Sequence, residues 1–302
     1  MKGSSFYIAV LVLMGAGWGI TQPLAKIAVS TGYQPFGLIF WQLVITACVL
    51  ALVLVRQGGG LPITAGALRV FAMIAVIGTI LPNSTSYQAV VYLQAGLMSV
   101  LLSIVPMLAF PVALALGNDG FSMKRLLGLA VGLCGVLLIV LPDASLPDPA
   151  LVGWVFVALV APLCYACEGN LVARFGLAGL TPVQALFGAS ALGAIAAAPL
   201  ALATGQWINP IVPYGAAEWA HVASSLLHAV VYTTYVWLVS RAGPTFAAQV
   251  SYLVTGFGVV WAIILLGEGY STYIWAALAL MFVGMALVQP RPKADELREP
   301  AS

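Results

Sequence analysis

Two side chains that can take part in proton chemistry lie inside long apolar runs of the sequence. Glu168 is the carboxylate found within such a run, and His228 lies in the middle of another. If these runs cross a membrane, a charge at their centre costs about 2.5–3.5 kcal/mol on insertion scales, so a partner or protonation is expected. Glu168 could carry a coupling proton or pair with Arg174. His228 could relay protons, because imidazole titrates near neutrality, or be a hydrogen-bonded cavity histidine.

The longest polar run of the chain, residues 82–88, needs a place among these apolar segments. It contains Asn83, Ser84, Tyr87 and Gln88 directly after Pro82. A loop here would leave residues 70–81 as the preceding segment, which is too short for the roughly 20 residues that span a bilayer. We therefore expect the run to lie within a third span, packed against protein or a water-filled cavity.

The composition predicts an all-α polytopic membrane protein. Of 302 residues, 62% are hydrophobic and 7% are charged, whereas soluble domains carry about 25% charged residues. Proline, glycine and charge positions separate ten predicted spans: 6–25, 36–55, 69–93, 97–116, 124–141, 151–173, 182–203, 218–240, 245–267 and 271–289. With both termini in the cytoplasm, of the 11 basic residues only Lys26 lies outside, in agreement with the positive-inside rule. We therefore expect a bacterial inner-membrane protein.

Polar and aromatic residues recur in each span at intervals that place them on one helical face. These stripes predict a substrate cavity lined by Trp18, Gln22, Asn83, Ser84, Tyr87, Gln88, Ser99, Ser103, His228, Tyr232, Tyr235, Gln249 and Tyr252. Aromatic rings with neutral amides and hydroxyls suit a neutral or zwitterionic substrate, or an amine held by cation–π attraction. The alternative is that the same residues form interhelical hydrogen bonds worth about 0.6 kcal/mol each.

The two halves of the chain, residues 6–141 and 151–289, resemble each other. Leu116-Gly117 matches Leu266-Gly267, and similar glycine and leucine matches follow with one residue of slippage. Because each half holds five spans, an odd number, the second copy must be inverted in the membrane. The fold expected is ten transmembrane helices as two inverted five-helix repeats, followed by a cytoplasmic polar tail at 290–302. Inverted repeats are typical of secondary transporters.

Three segments resemble a known group of membrane proteins. They are "GAGWG" (15–19), "PMLAFPVALALG" (106–117) and "LLGEGYSTYIWAALALMFVGMALV" (265–288). They resemble the drug/metabolite transporter superfamily, in particular its EamA-type members with ten helices and two EamA repeats. The resemblance implies an exporter or importer of small metabolites, often amino acids or related compounds, with a substrate path between both halves. It also implies a structural or gating role for Glu268, in the Leu-Gly-Glu motif, where it could anchor the next helix. Pro106 is a second gating candidate.

The sequence as a whole predicts a secondary active transporter, an exporter that works by alternating access. It contains no phosphate-binding Gly-rich Lys motif and no H-E-x-x-H motif, so we expect no cofactor, no metal and no enzymatic activity. A passive channel or facilitator and a membrane-embedded enzyme are the alternatives. The expected partners are a small-molecule substrate and the lipid bilayer, and no nucleic acid. The sequence does not decide between a monomer and an oligomer.

Overall fold

The described part of the chain consists of helices joined by short connecting loops, which are called reversals below because the chain changes direction in each. The structure is a computed structural model that describes residues 2–142, 145–242, 247 and 249–288, and no strand occurs among them. The predicted tail, 290–302, lies outside the described residues. Ten helices make up the described structure, and each is called a rod below because some consist of several consecutive helical segments. They are α1 (Ser5–Ala28), α2 (Pro35–Arg56), α3 (Ala65–Tyr92), α4 (Ala95–Leu116), α5 (Met123–Val140), α6 (Pro149–Phe175), α7 (Pro182–Ala203), α8 (Ala216–Ala242), α9 (Val250–Leu266) and α10 (Thr272–Val288).

The lengths and apolar composition of these rods confirm the prediction of an all-α polytopic membrane protein. Among the described residues, seven rods, α1 to α7, are long and apolar enough to cross a membrane, and α9 and α10 are shorter apolar helices. The remaining rod, α8, has 27 residues. Several rods begin a few residues before the predicted spans. Threonine caps fix two rod starts, that of α3 and that of α7: Thr64 accepts from the Ala67 amide, and Thr181 forms a capping box with Gln184.

The internal repeat is visible in matching helix ends. Gly117 ends α4 with a φ of 68°, and Gly267 ends α9 with a φ of 65°. A left-handed residue at this position closes the last helical turn, and glycine adopts it without a steric penalty. The Leu-Gly pairs that match between the two halves of the sequence therefore terminate equivalent helices.

Contacts between the halves follow a twofold pattern. Three of them join equivalent rods, α2 with α7, α4 with α9, and α5 with α10. Six further contacts form three exchanged pairs: α1 packs on α9 as α4 packs on α6, α1 on α8 as α3 on α6, and α2 on α8 as α3 on α7. Such pairing is what an approximate twofold axis between the two repeats produces.

The rods alternate in direction, so the reversals collect at two opposite ends. Reversals after odd-numbered rods share hydrogen bonds at one end: Phe36 N with Gln206 Oε1, Ser271 Oγ with the Ser145 carbonyl, and Gln94 Nε2 with the Gly269 carbonyl. Two hydrogen bonds lie at the other end: Gln184 Nε2, in the first turn of α7, donates to the Gly60 carbonyl, and Asn118 Nδ2, just after α4, donates to the Asn170 carbonyl of α6. With five rods in each half, this alternation places the two repeats in opposite directions.

Charge distinguishes the two ends, and we name them by it. The first set of reversals, here the acidic end, carries these described charges: Lys26, Asp148, Glu218 and Glu268. The second set, here the basic end, carries these: Arg56, Arg69, Asp119, Lys124, Arg125, Arg174 and Arg241. The asymmetry of Lys and Arg on which the predicted topology rests therefore coincides with the two physical ends of the bundle.

Glycine allows α5 and α10 to pack with their backbones close together. A methyl group on Gly128 would lie 2.8 Å from Leu287 Cβ and 2.9 Å from the Gly284 carbonyl oxygen. Backbone atoms cannot move aside as a flexible side chain can, so the position requires a residue without a Cβ. Small residues at helix interfaces serve this purpose in membranes.

We expect Gly128→Ala to lower the stability of the protein by about 1–3 kcal/mol, because the added methyl overpacks this interface. Gly153→Ala, on an open face of α6 with no atom within 4 Å of the new methyl, is the matched control and should leave stability unchanged or slightly higher. Thermal unfolding of the detergent-solubilised protein measures both. Equal melting temperatures for the two variants would contradict the close packing of α5 and α10.

Candidate functional site

The polar run of α3 follows a widened helical turn. Residues Ile74–Ile80 form a π-helix, and an α-helix continues from Leu81 through Tyr92, so the run lies within the third rod as predicted. Pro82 supplies no amide hydrogen for the helix ladder. Ser84 Oγ donates to the Leu81 carbonyl at 2.9 Å, and Thr85 Oγ1 donates to the Pro82 carbonyl at 3.0 Å. Single π-helical turns inside α-helices are frequent at functional sites.

A hydrogen-bonded network of four side chains joins α3 to α2 and α6. Asn83 Nδ2 and the Tyr87 hydroxyl both donate to Gln42 Oε1, at 3.1 and 3.2 Å. The Tyr165 hydroxyl donates to Asn83 Oδ1 at 3.3 Å. Since α2 and α3 belong to the first repeat and α6 to the second, the network connects the two halves. Asn83 and Tyr87 were predicted; Gln42 and Tyr165 were missed, because their partner lies on another rod and spacing along their own helices does not show it.

The Glu168 carboxylate lies beside the π-helix of α3. A methyl group on Gly78 would lie 2.5 Å from Glu168 Oε1, so the glycine is what allows the carboxylate to approach the backbone. Tyr165, on the preceding turn of α6, and Tyr232, on α8, both lie within electrostatic range of this carboxylate. Glu168 therefore stands between the network of α3 and the aromatic residues of α8.

The alternative of a Glu168–Arg174 ion pair is wrong. Arg174 is exposed, and among the described residues the one ion pair joins Arg125 to Asp119. Six residues along an α-helix correspond to about one and two-thirds turns, so the two side chains leave α6 on different faces. Glu168 is directed toward α3 and Arg174 toward solvent at the basic end.

Aromatic residues of α1 and α8 form a second predicted group. The Trp18 ring lies 6.4 Å from His228 and 5.6 Å from Tyr235, measured between ring centroids. His228 stacks on Tyr232, one turn further along α8, at 6.5 Å. The structure thus brings together four of the predicted residues from the two repeats. Gln22, one turn after Trp18, is half-buried, and it makes no hydrogen bond with the described part of the chain.

A cleft opens at the basic end between α4, α6, α9 and α10. Its walls include Pro106 and Tyr252, both predicted, and Asn170 from α6; its empty space, including open solvent, is about 770 Å³. Tyr252 stacks on Phe282 at 6.0 Å. The cleft is lined by both repeats.

Five predicted residues are not brought to these groups. Ser99 and Ser103 are buried in the packing of α4, where a methyl on Gly258 would overlap Ser99 Oγ and where Ser103 donates to the Val100 carbonyl of its own helix. Two more of the five, Gln88 and Gln249, are exposed. Gln88 bonds the Ser84 carbonyl of its own helix, and Ser84 is occupied by its bond to the Leu81 carbonyl.

Glu268 caps a helix of the other repeat. Its carboxylate oxygens accept hydrogen bonds from the amides of Ala95 (2.7 Å) and Gly96 (3.0 Å), which begin α4, and from the Tyr270 hydroxyl (2.6 Å). A carboxylate at a helix N-terminus satisfies free amides and complements the helix dipole. The sequence suggested that Glu268 anchors the next helix, α10; the helix it anchors is α4. Burial and this carboxylate raise the pKa of Tyr270, which keeps its hydroxyl a donor.

Lys26 binds the helix end on the other side of the same reversal. Its ammonium donates to the carbonyls of Val90, Val91 and Leu93, at 2.6, 3.0 and 2.9 Å, where α3 ends. A cation at a helix C-terminus donates to the carbonyls that have no partner within the helix, just as the Glu268 carboxylate accepts from the free amides at the start of α4. The tight turn between α3 and α4 is therefore held by Lys26 from α1 and by Glu268 from the α9–α10 reversal.

We expect Glu268→Ala to cost about 1–3 kcal/mol of stability, because the Ala95 and Gly96 amides lose their acceptors in a partly buried place. Asp148→Ala is the matched control: Asp148 also caps a helix start at the acidic end, through the Ala150 amide, but it is exposed, so water can replace it. Thermal unfolding in detergent should show the larger loss for Glu268→Ala. Equal losses would contradict the role of Glu268 as an anchor between the repeats.

Comparisons with known proteins agree with this architecture. A crystal structure matches 96% of this chain and 99% of its own, with a TM-score of 0.63 at 18% sequence identity, a likeness of fold. No curated protein sequence matches the chain at a significant level. The model of the EamA-like transporter family matches twice, over residues 5–141 and 152–289, one match for each repeat. The chain therefore belongs to the EamA-like transporter family.

Proposed function

We propose that this protein is a secondary active transporter that exports small metabolites by alternating access. Its substrates are amino acids or related neutral, zwitterionic or amine compounds. The observation that carries the proposal is the network of Gln42, Asn83, Tyr87 and Tyr165, which joins the two repeats beside Glu168. Secondary transporters with inverted repeats bind substrate at the repeat interface and expose it to each side in turn.

The chemistry of the site supports the proposed substrate class. Amides and hydroxyls of the network can donate to and accept from the polar end of a substrate, and the rings of Trp18 and Tyr232 offer apolar or cation–π contact. The charged group of the site is the Glu168 carboxylate, while the described basic residues lie toward the two ends of the bundle. A strongly anionic substrate finds no cation here, whereas an amine or a zwitterion finds an acceptor.

Alternating access requires contacts between the repeats to break in turn at the two ends. At the acidic end these contacts include the bonds of Glu268 to the amides that begin α4. At the basic end they include the bond of Asn118 Nδ2 to the Asn170 carbonyl, which is 2.8 Å long. By the positive-inside rule the basic end faces the cytoplasm of a bacterial inner membrane, so export moves substrate from the basic end to the acidic end.

Transport in proteoliposomes tests the proposal directly. The purified chain is reconstituted and offered a panel of radiolabelled amino acids, nucleosides and organic cations, with and without a pH gradient. A carrier shows saturation and counterflow, in which external unlabelled substrate drives labelled substrate outward against its gradient. Flux without saturation or counterflow would indicate a passive channel instead, and no flux of any compound would contradict transport of this class.

Glu168 and His228 are the candidates for proton coupling, and Glu168→Gln separates coupling from binding. We expect the variant to lose accumulation driven by a pH gradient, by at least about tenfold, because the amide cannot carry a proton. Counterflow exchange at equal pH should persist. Asp148→Asn, an exposed carboxylate at the acidic end, is the control and should keep both activities. If Glu168→Gln retains gradient-driven accumulation and His228→Gln loses it, the coupling role belongs to His228.

Two positions on different faces of α3 test the location of the substrate. Asn83→Ala should raise the half-saturation concentration about tenfold, because a hydrogen-bonding group of the network is removed. Gln88→Ala, on the exposed side of the same helix, should leave it unchanged. The assay is concentration-dependent uptake by proteoliposomes that contain equal amounts of protein. Equal affinities for Asn83→Ala and the parent protein would place the substrate elsewhere.

A further inference from the structure

A second cavity lies at the acidic end, between α2, α8 and the reversal that joins α7 to α8. Its empty space, including open solvent, is about 430 Å³, and its walls combine apolar side chains such as Leu38 and Ile45 with the Trp41 and Tyr214 rings. The residues of the network beside Glu168 are not among those that line it. The cavity is therefore a separate feature that the transport site does not account for.

The reversal over this cavity is fixed in place. Trp41 Nε1 donates to the Ile208 carbonyl at 3.0 Å, and the Phe36 amide donates to Gln206 Oε1 at 2.9 Å. The Trp207 ring packs against Phe40 with centroids 4.9 Å apart. Because these contacts hold the wall in one position, the cavity is preformed, as ligand sites usually are.

A buried histidine in the wall of this cavity lacks partners. His221 is 6% exposed and lines the cavity, and neither of its ring nitrogens has a hydrogen-bond partner within the described part of the chain. The Leu38 backbone lies beside the ring, outside hydrogen-bonding geometry. Buried polar atoms are nearly always satisfied, so such an exception requires an explanation. A bound molecule with a donor or an acceptor would supply the missing partner.

A carboxylate lies at the rim of the same cavity with acceptor capacity to spare. Glu218 accepts from the Tyr33 hydroxyl through one oxygen and from the Gly215 amide, at 2.8 Å, through the other. A carboxylate offers about four lone-pair sites, so these bonds leave room for an incoming ammonium. The bond to Glu218 raises the pKa of Tyr33 to about 12, so the hydroxyl remains a donor and the charge remains on Glu218.

We propose that this cavity binds small organic ammonium compounds with an apolar body. The ammonium lies at the rim against Glu218, flanked by the Tyr214 ring and the Asn209 side chain, and the apolar body occupies the space between Leu38 and Ile45. A polar group at the far end of the ligand meets the His221 imidazole. Aromatic rings beside a carboxylate are favourable surroundings for an alkylammonium ion. The other described charges of the acidic end favour a cation as well, because Lys26 is occupied by three carbonyls.

The site is in contact with the transport network without belonging to it. The His221 ring lies 6.5 Å from the Tyr87 ring, measured between centroids, and the Tyr87 hydroxyl bonds Gln42. This inference does not rest on the proposed transport function, since binding is measured here without transport.

Equilibrium binding to the detergent-solubilised full chain tests the proposal. The probes are tyramine, which carries an ammonium, an apolar ring and a distal hydroxyl, and 4-hydroxyphenylacetate, which has an anion in place of the ammonium. Titration calorimetry should show saturable binding of tyramine and at least tenfold weaker binding of the acid. Equal binding of both probes, or binding of neither, would overturn the proposal.

Three variants locate the bound probe. Glu218→Gln should weaken tyramine binding at least tenfold, and His221→Phe, which fills the cavity with a ring of similar size and no nitrogen, should weaken it at least fivefold. Asp148→Asn, at the same end but outside the cavity, should leave it unchanged. Loss of binding in Glu168→Gln with full binding in Glu218→Gln would place the amine in the transport site and overturn the proposal. Circular dichroism of each variant confirms that it is folded.

Discussion

A polar group at bilayer depth has no water to bond with, so it must find its partner within the protein. This constraint explains the form of the bundle. Asn83 in α3 reaches its partners only because α2 supplies Gln42 and α6 supplies Tyr165. Each partner lies on a different rod, and the rods come from both repeats. The polar residues of α3 thus require the association of the two halves, and that association produces a shared site.

The same constraint applies to the backbone where helices end. The reversal between α3 and α4 is short, and it exposes carbonyls on one side and amides on the other. Lys26 occupies the carbonyls and Glu268 occupies the amides, so each charge meets the helix dipole of the sign it prefers. Lys26 belongs to the same repeat as this reversal, whereas Glu268 belongs to the other. The carboxylate therefore stabilises the relative position of the repeats, and its bonds are among those that the proposed alternating access would break.

Length and periodicity made most of the fold predictable from the sequence. The polar run of α3 could be placed inside a span because the apolar segment before it was too short, and the Leu-Gly pairs identified equivalent helix ends. Residues one position apart differ by 100° around a helix, however, and only packing shows which face is inside. Tyr87 is buried and Gln88 is exposed for this reason, although both looked alike in the sequence.

The residues that were missed share a physical cause. Gln42, Tyr165 and His221 are polar side chains whose partners or surroundings lie on other rods, and spacing along their own helices does not show which rod they meet. Each acquires its significance from a different rod: Gln42 and Tyr165 through hydrogen bonds to α3, His221 through a cavity closed by the α7–α8 reversal. Glu268 shows the same limit, because its motif located a helix junction but not the helix that it caps. Pairing between distant segments is not encoded in local spacing.

Tyr87 lies between the hydrogen-bonded network and the acidic-end cavity. Its hydroxyl bonds Gln42 of the transport network, and its ring lies beside His221 of the acidic-end cavity. Any movement of α3 relative to α2, such as alternating access requires, changes the position of Tyr87 against both neighbours. A molecule bound at His221 would favour whichever arrangement keeps that cavity intact, because a ligand shifts an equilibrium by its difference in affinity for the two states. If both proposed sites bind their ligands, Tyr87 links them, and the linkage is reciprocal: each ligand alters the affinity for the other by the same factor.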